Sequence, residues 1–195
     1  MGQNSNMTKP ALRKLYGEKR QLLTDAQMEQ MQDLMLIQFQ ALDIDIPANI
    51  MAFSPLESRN EFNTQLITDY CYFKNPEQVL FYPVMNPTSQ TISCVAVNDD
   101  TLFDTNRYGI DEPIDGQEVL PEAIDWVLLP LLAFDRRGYR VGYGKGYYDR
   151  FLKECRDDVV KIGFSFFAPV DRIFDVNRHD ERMDYCITPD DIYRF

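Results

Sequence analysis

The feature that most restricts how this chain can fold is the run Ile124-Asp125-Trp126-Val127-Leu128-Leu129-Pro130, apolar at nearly every position and closed by proline. A strand with one wet face alternates polar and apolar residues, so an almost unbroken apolar run suits a central strand buried on both faces, as in parallel sheets covered by helices. Val159 to Phe164 has the same character, and Ile50 to Phe53 is a shorter version. Helical patterns alternate with these runs. Thr8 is placed to cap a first helix with Pro10 in its opening turn, Leu12, Leu15, Tyr16, Leu22 and Leu23 as its apolar stripe, and Lys9 and Arg13 sharing the other face. Thr24 and Gln27 read as a capping box for a second helix, whose Met28, Met31, Leu34, Met35, Ile37 and Phe39 are assigned to the core.

Further on, the pattern predicts a helix from Asn63 to Tyr72, and strands from Gln78 to Val84, with Pro83 and Pro87 marking the exit, and from Thr91 to Val97. Short pieces joined by loops are expected from Asp99 to Pro121, then a helix from Tyr147 to Glu154 and a last strand from Tyr185 to Thr188. The alternation predicts an α/β chain: a single three-layer α/β/α domain over residues 1–195 with a largely parallel sheet, its N-terminal helices (8–46) packed on the α/β core.

The formal net charge of −11 argues against a nucleic-acid partner, which would need a dense basic face, so anionic ligands must be met by local groups of Lys and Arg. No apolar run approaches the roughly 18 residues that span a bilayer, and MGQNSNMTKP lacks the apolar stretch of a secretion signal, so a cytoplasmic chain without a membrane partner is expected. Met1-Gly2 fits the opening of an acylation signal, but Met7 stands where that signal wants Ser or Thr. Cys71, Cys94, Cys155 and Cys186 form no CxxC pair and read as reduced thiols rather than zinc ligands.

Ligands of parallel sheets collect beyond the carboxyl ends of the strands. Just there, the chain runs from Phe134 through Asp135 to Arg140-Val141-Gly142-Tyr143-Gly144-Lys145-Gly146-Tyr147-Tyr148-Asp149. Alternating glycines let backbone N–H groups close around an anion, a helix start adds its dipole, and Lys145 and Arg140 add full charges, which together make a cradle for a triphosphate. It is neither common nucleotide loop: Gly146 follows Lys145 where a Walker loop needs Ser or Thr, and Tyr147 stands where GxGxxG needs glycine. The glycine triplet alone also suits a plain strand-to-helix turn.

The longer string is more specific. Ile124 to Pro130, Ala133-Phe134-Asp135, Gly138 and Arg140 to Phe151, together with the Lys9-x-x-x-Arg13 helix and Val176-Asn177-Arg178-His179-Asp180-Glu181-Arg182-Met183-Asp184, resemble the 5-formyltetrahydrofolate cyclo-ligase family. The resemblance implies a fold like the NagB/RpiA/CoA-transferase group and an ATP- and Mg²⁺-dependent closure of 5-formyltetrahydrofolate, with or without a polyglutamate tail (polyglutamylated), to the 5,10-methenyl form, and a monomer is expected. It further implies that Lys9 and Arg13 grip ATP phosphates, and that Arg140, Val141, Gly142, Tyr143, Gly144, Lys145, Gly146, Tyr147 and Tyr148 wrap the nucleotide. Lys145, Arg140 and Tyr147 serve the chemistry on this reading, Phe53, Glu61 and Tyr147 line the folate site, and Asp149 and Asp184 hold Mg²⁺. The sequence departs from the family at Leu131, where glycine commonly follows the proline, and Tyr143 stands at a variable position. A kinase or ligase with another acceptor, and a non-catalytic nucleotide-binding module, stay open. The lone His179 reads as structural, or as a partner to a site residue, rather than as a catalytic base.

Overall fold

A computed structural model describes residues 7–195; the Met1-Gly2 dipeptide lies outside the described residues. In chain order the elements are α1 (Lys9–Gln21), α2 (Asp25–Gln40), β1 (Asn49–Met51), α3 (Gln65–Lys74), β2 (Val79–Asn86), β3 (Thr91–Val97), β4 (Phe103–Thr105), β5 (Asp111–Pro113) and β6 (Gln117–Val119). They continue with β7 (Trp126–Leu129), β8 (Ala133–Phe134), β9 (Arg140–Val141), α4 (Tyr147–Leu152), β10 (Val160–Phe164), β11 (Tyr185–Ile187) and β12 (Ile192–Arg194). Short 3-10 turns occupy Glu57–Arg59 and Pro121–Ala123.

The main sheet runs in the order β12-β11-β10-β7-β1-β2-β3-β6. The strands from β11 to β2 are mutually parallel, and the additions at both edges are antiparallel. As its composition requires, β7 sits centrally between β1 and β10. Trp126 and Leu128 pack with Met35, Phe39 and Ile67 of α2 and α3 on one face. Val127 and Leu129 pack with Phe151 and Leu152 of α4 on the other. Val127, Leu128 and Leu129 are fully buried, each contributing about 1.5–3 kcal/mol of transfer free energy.

Several local expectations need correction. Pro83 lies inside β2 and does not mark its exit. The Val79 N–H and the Phe81 carbonyl bond toward β1, so the Pro83 nitrogen faces the same side beyond the end of β1, where no ladder bond is lost. The capping box at Thr24 and Gln27 is present, but Thr8 makes no side-chain cap, and the Lys9 N–H is met instead by Asp175 Oδ1 at 2.7 Å. Of the α2 stripe, Met35 and Phe39 are buried, whereas Leu34 and Ile37 are exposed, as is Leu22 after α1. Leu12 and Tyr16 of α1 pack with Val141, Val170 and Ile173 around the β8–β9 hairpin. No helix among the described residues is long and apolar enough to cross a membrane.

Candidate active site

From β1 the chain turns to β2 on one side, and later builds β7, β10 and β11 on the other, so strand order reverses between β1 and β7. This is where an open α/β sheet leaves a crevice. Phe53, just past β1, and Pro130, just past β7, line a cleft of about 870 Å³ at that point. Seven cationic side chains (Lys9, Arg13, Arg59, Arg140, Lys145, Arg150 and Lys153) face four carboxylates (Glu61, Asp149, Asp175 and Asp180) along its walls. A chain with net charge −11 thus has a locally cationic cleft, which suits an anionic ligand.

The glycine loop forms one wall. Gly144 (φ +92°) and Gly146 (φ +68°) are left-handed, while Gly142 is not. The left-handed backbone at Gly144 favours glycine, and a Cβ there would also come within 2.9 Å of the guanidinium carbon of Arg13, which would have to move aside. Arg13 Nε donates to the Gly142 carbonyl at 2.8 Å. The following helix, α4, is short, ending at Leu152 rather than at the expected Glu154, so side-chain charge matters more here than the dipole. Lys145 is exposed, with Nζ 3.8 Å from the centroid of the Tyr108 ring. Lys9 faces the cleft too, with Nζ held by both oxygens of Asp180 at 2.5 Å.

Arg140 is buried, donating to the Glu181 carbonyl at 2.9 Å and to Asp149 Oδ1 at 3.0 Å. Asp149 Oδ1 also accepts the Glu181 N–H at 3.1 Å. Tyr147 is buried in the core and also lines the cleft, while Tyr148 is half-buried beside it. Phe53 is buried with Phe62 and Phe164 behind it. Glu61 accepts the Leu56 N–H at 2.8 Å and the Tyr143 hydroxyl at 2.8 Å. Burial pushes its carboxyl above the usual glutamate range, against the pull of Leu56 N–H, Arg20, Tyr143 and Arg59.

Two expected site residues lie off the cleft wall. Val141 is fully buried in β9 and packs against Leu12, so it can contribute only backbone. Asp184 stands at the amino end of β11, not at the carboxyl ends where the cleft opens; its Oδ2 accepts the Lys161 N–H at 2.8 Å and pairs with Lys161 Nζ at 3.2 Å. It therefore does not join Asp149. His179 lines the cleft mouth beside Asp180.

Reading the sequence missed Arg59, Tyr108, Arg150 and Asp180 as cleft residues, and Arg20 behind it. Arg20 had a signal, since Leu12, Tyr16 and Arg20 recur four apart on one face. Tyr108 had none, because the β4–β5 hairpin brings it to Lys145 from a polar segment.

The model of the 5-formyltetrahydrofolate cyclo-ligase family matches residues 5–189. A 5-formyltetrahydrofolate cyclo-ligase of Haemophilus influenzae is 31% identical over 110 residues, covering 54% of this chain and 58% of that protein. The mouse enzyme of that name is 28% identical over 147 residues, covering 69% of this chain and 71% of its own. The chain thus aligns with little more than half the length of the Haemophilus protein. The NMR structure of the Aquifex aeolicus 5,10-methenyltetrahydrofolate synthetase superimposes with a TM-score of 0.78 at 26% identity, covering 96% of this chain and 93% of that one. A Mycoplasma pneumoniae synthetase, at 22% identity and a TM-score of 0.70, shares the fold.

Proposed function

Because the chain belongs to the 5-formyltetrahydrofolate cyclo-ligase family, we propose that it closes 5-formyltetrahydrofolate to 5,10-methenyltetrahydrofolate with ATP, releasing ADP and phosphate. One observation carries the reading: a single cleft joins a cationic glycine loop to a buried carboxylate beside Phe53. The first suits a triphosphate and the second a reduced pterin, whose adjacent N–H donors a carboxylate can accept together.

A formamide is a poor electrophile, because nitrogen donates into its carbonyl and hydroxide is a poor leaving group. Transfer of the γ-phosphoryl group to the formyl oxygen removes both obstacles. N10 then attacks that carbon and loses its proton, and the C–O bond breaks to free phosphate. Such chemistry asks the protein for in-line positioning and charge neutralisation rather than a nucleophile. Lys145 is exposed and has no carboxylate within ion-pair distance among the described residues, so it is free to meet a phosphate. Arg13, itself on the cleft wall, braces the loop through the Gly142 carbonyl. Arg140 and Asp149 fix each other at the foot of the loop. Tyr147, Tyr148 and Phe53 provide the walls that keep water from the activated carbon.

Mg²⁺ fits the same place. The second carboxylate oxygen of Asp149 has no hydrogen-bond partner among the described residues. Mg²⁺ is commonly held by one or two carboxylates with phosphates and water rather than by an all-protein cage. Asp149 would hold the ion, which would neutralise charge on the phosphates.

Lys145→Ala tests the reading. The variant is expected to keep the wild-type circular dichroism spectrum and to lose at least about tenfold in methenyl formation, the loss of one charge-assisted contact. An unchanged rate would remove Lys145 from the chemistry.

A further inference from the structure

Behind Glu61 lies a charged group that the reaction itself does not use. Arg20 of α1 is 3% exposed. Its Nη1 donates to the Leu131 carbonyl at 3.2 Å and its Nη2 to the Tyr143 hydroxyl at 2.6 Å, while Nε has no acceptor among the described residues. A buried guanidinium without a counter-charge is costly. No carboxylate reaches Arg20 directly, but the Tyr143 hydroxyl donates to Glu61 Oε1 at 2.8 Å. The direction of this chain is fixed, since a guanidinium only donates and a carboxylate only accepts. The other Glu61 oxygen is held by the Leu56 N–H at 2.8 Å.

We propose that Arg20 is a positioning residue for the folate site, acting through the Tyr143 hydroxyl to keep Glu61 ionised and fixed in orientation toward the pterin. The inference rests on the reading of Glu61 as the pterin partner. Tyr143 stands between Gly142 and Gly144, so the same contact ties the folate carboxylate to the phosphate loop. The groups facing Glu61 from its surroundings are the Leu56 N–H, Arg20, Arg59 and the hydroxyl of Tyr143, with the half-buried Tyr148 nearby. Arg59 lies over the Tyr143 ring at 4.9 Å from its centroid, at the cleft surface. Arg20 is therefore the buried one of the two cations that favour the Glu61 anion.

The test is a titration of 5-formyltetrahydrofolate across pH against the wild type, Glu61→Gln, Tyr143→Phe, Arg20→Met and the two doubles with Glu61→Gln. Tyr143→Phe and Arg20→Met are each expected to weaken binding about tenfold, the scale of a hydrogen bond to a charged group. Both are expected to raise the pH below which affinity is lost, because Glu61 gains its proton more easily. In the Glu61→Gln background neither should weaken binding further. Tyr143→Phe removes only a hydroxyl and keeps the test decisive if Arg20→Met does not fold. Full single-variant effects that persist in the Glu61→Gln background, or a pH threshold that stays in place, would overturn the positioning role. A Glu61→Gln variant that binds like the wild type would instead overturn the pterin reading, and the inference with it.

Discussion

At the scale of single residues, the cleft separates charges that are engaged from charges that are free. Lys9 and Arg140 are neutralised by Asp180 and Asp149, whereas Lys145 rests on the Tyr108 ring. Glu61 is a buried carboxylate on the cleft wall, and its burial sets a pH dependence with a definite sign. Its carboxyl is raised, so the anion proposed to bind the pterin is complete above that raised value and is lost as pH falls through it. Folate affinity is thus expected to decline at a pH above the ~4.3 of an exposed glutamate, with Glu61→Gln weak and flat over the same range. Affinity unchanged down to about pH 4.5 would contradict this. The linked stability term has the opposite sense: it is fully present at low pH and is lost as pH rises through the raised value. The two aspartates first assigned to metal also part company here. Asp149→Asn is expected to raise the Mg²⁺ concentration for half-maximal activity several-fold. Asp184→Asn, which only loosens Lys161, is expected to leave that titration unmoved while lowering the melting temperature.

At the scale of elements, legibility followed burial. The apolar run at β7 announced a central strand because nothing else buries Trp126 and Leu128 on one face and Val127 and Leu129 on the other. The capping box at Thr24 was equally readable, since its chemistry is local. What local pattern could not supply was partnership across the chain. Pro83 read as a strand exit because the sequence does not reveal that β1 stops short of it. β12 escaped notice because Ile192 to Arg194 is short and gains strand character only from pairing with β11. The cleft was legible at the glycine loop and at Glu61, but not at Asp180, whose role depends on the approach of Lys9 from 171 residues away in sequence. Close packing between elements yields a further prediction. A Cβ on Gly163 of β10 would meet Met183 Sδ at 2.5 Å and Leu131 Cδ2 at 2.7 Å. Gly163→Ala is therefore expected to cost about 1–3 kcal/mol by overpacking, a fall of roughly 2–4 °C in melting temperature per kcal/mol for a chain of this size. An unchanged melt would mean that Met183 yields freely.

At the scale of the whole molecule, a long-range network holds the cleft together. Asp135, fully buried, accepts the N–H groups of Arg137, Tyr139 and Ile173 at 3.0–3.1 Å and pairs with the Arg137 guanidinium at 2.7 Å. It pins the segment that carries Asp175 and Asp180 to the hairpin that leads into the glycine loop. Lys9, whose N–H meets Asp175 and whose ammonium meets Asp180, fastens α1 to the same segment. The acidic remainder of the surface leaves the cleft as the place where anionic groups are drawn in. If phosphate chemistry and folate chemistry occur together in this cleft, neither can proceed without the other. The direct measurement mixes the protein with 5-formyltetrahydrofolate, ATP and Mg²⁺ and follows methenyl absorbance and free phosphate at once. The two are expected to rise in equal amounts, and neither without ATP. Nucleotide hydrolysis or transfer with no methenyl product, or methenyl formation that ignores ATP, would contradict it.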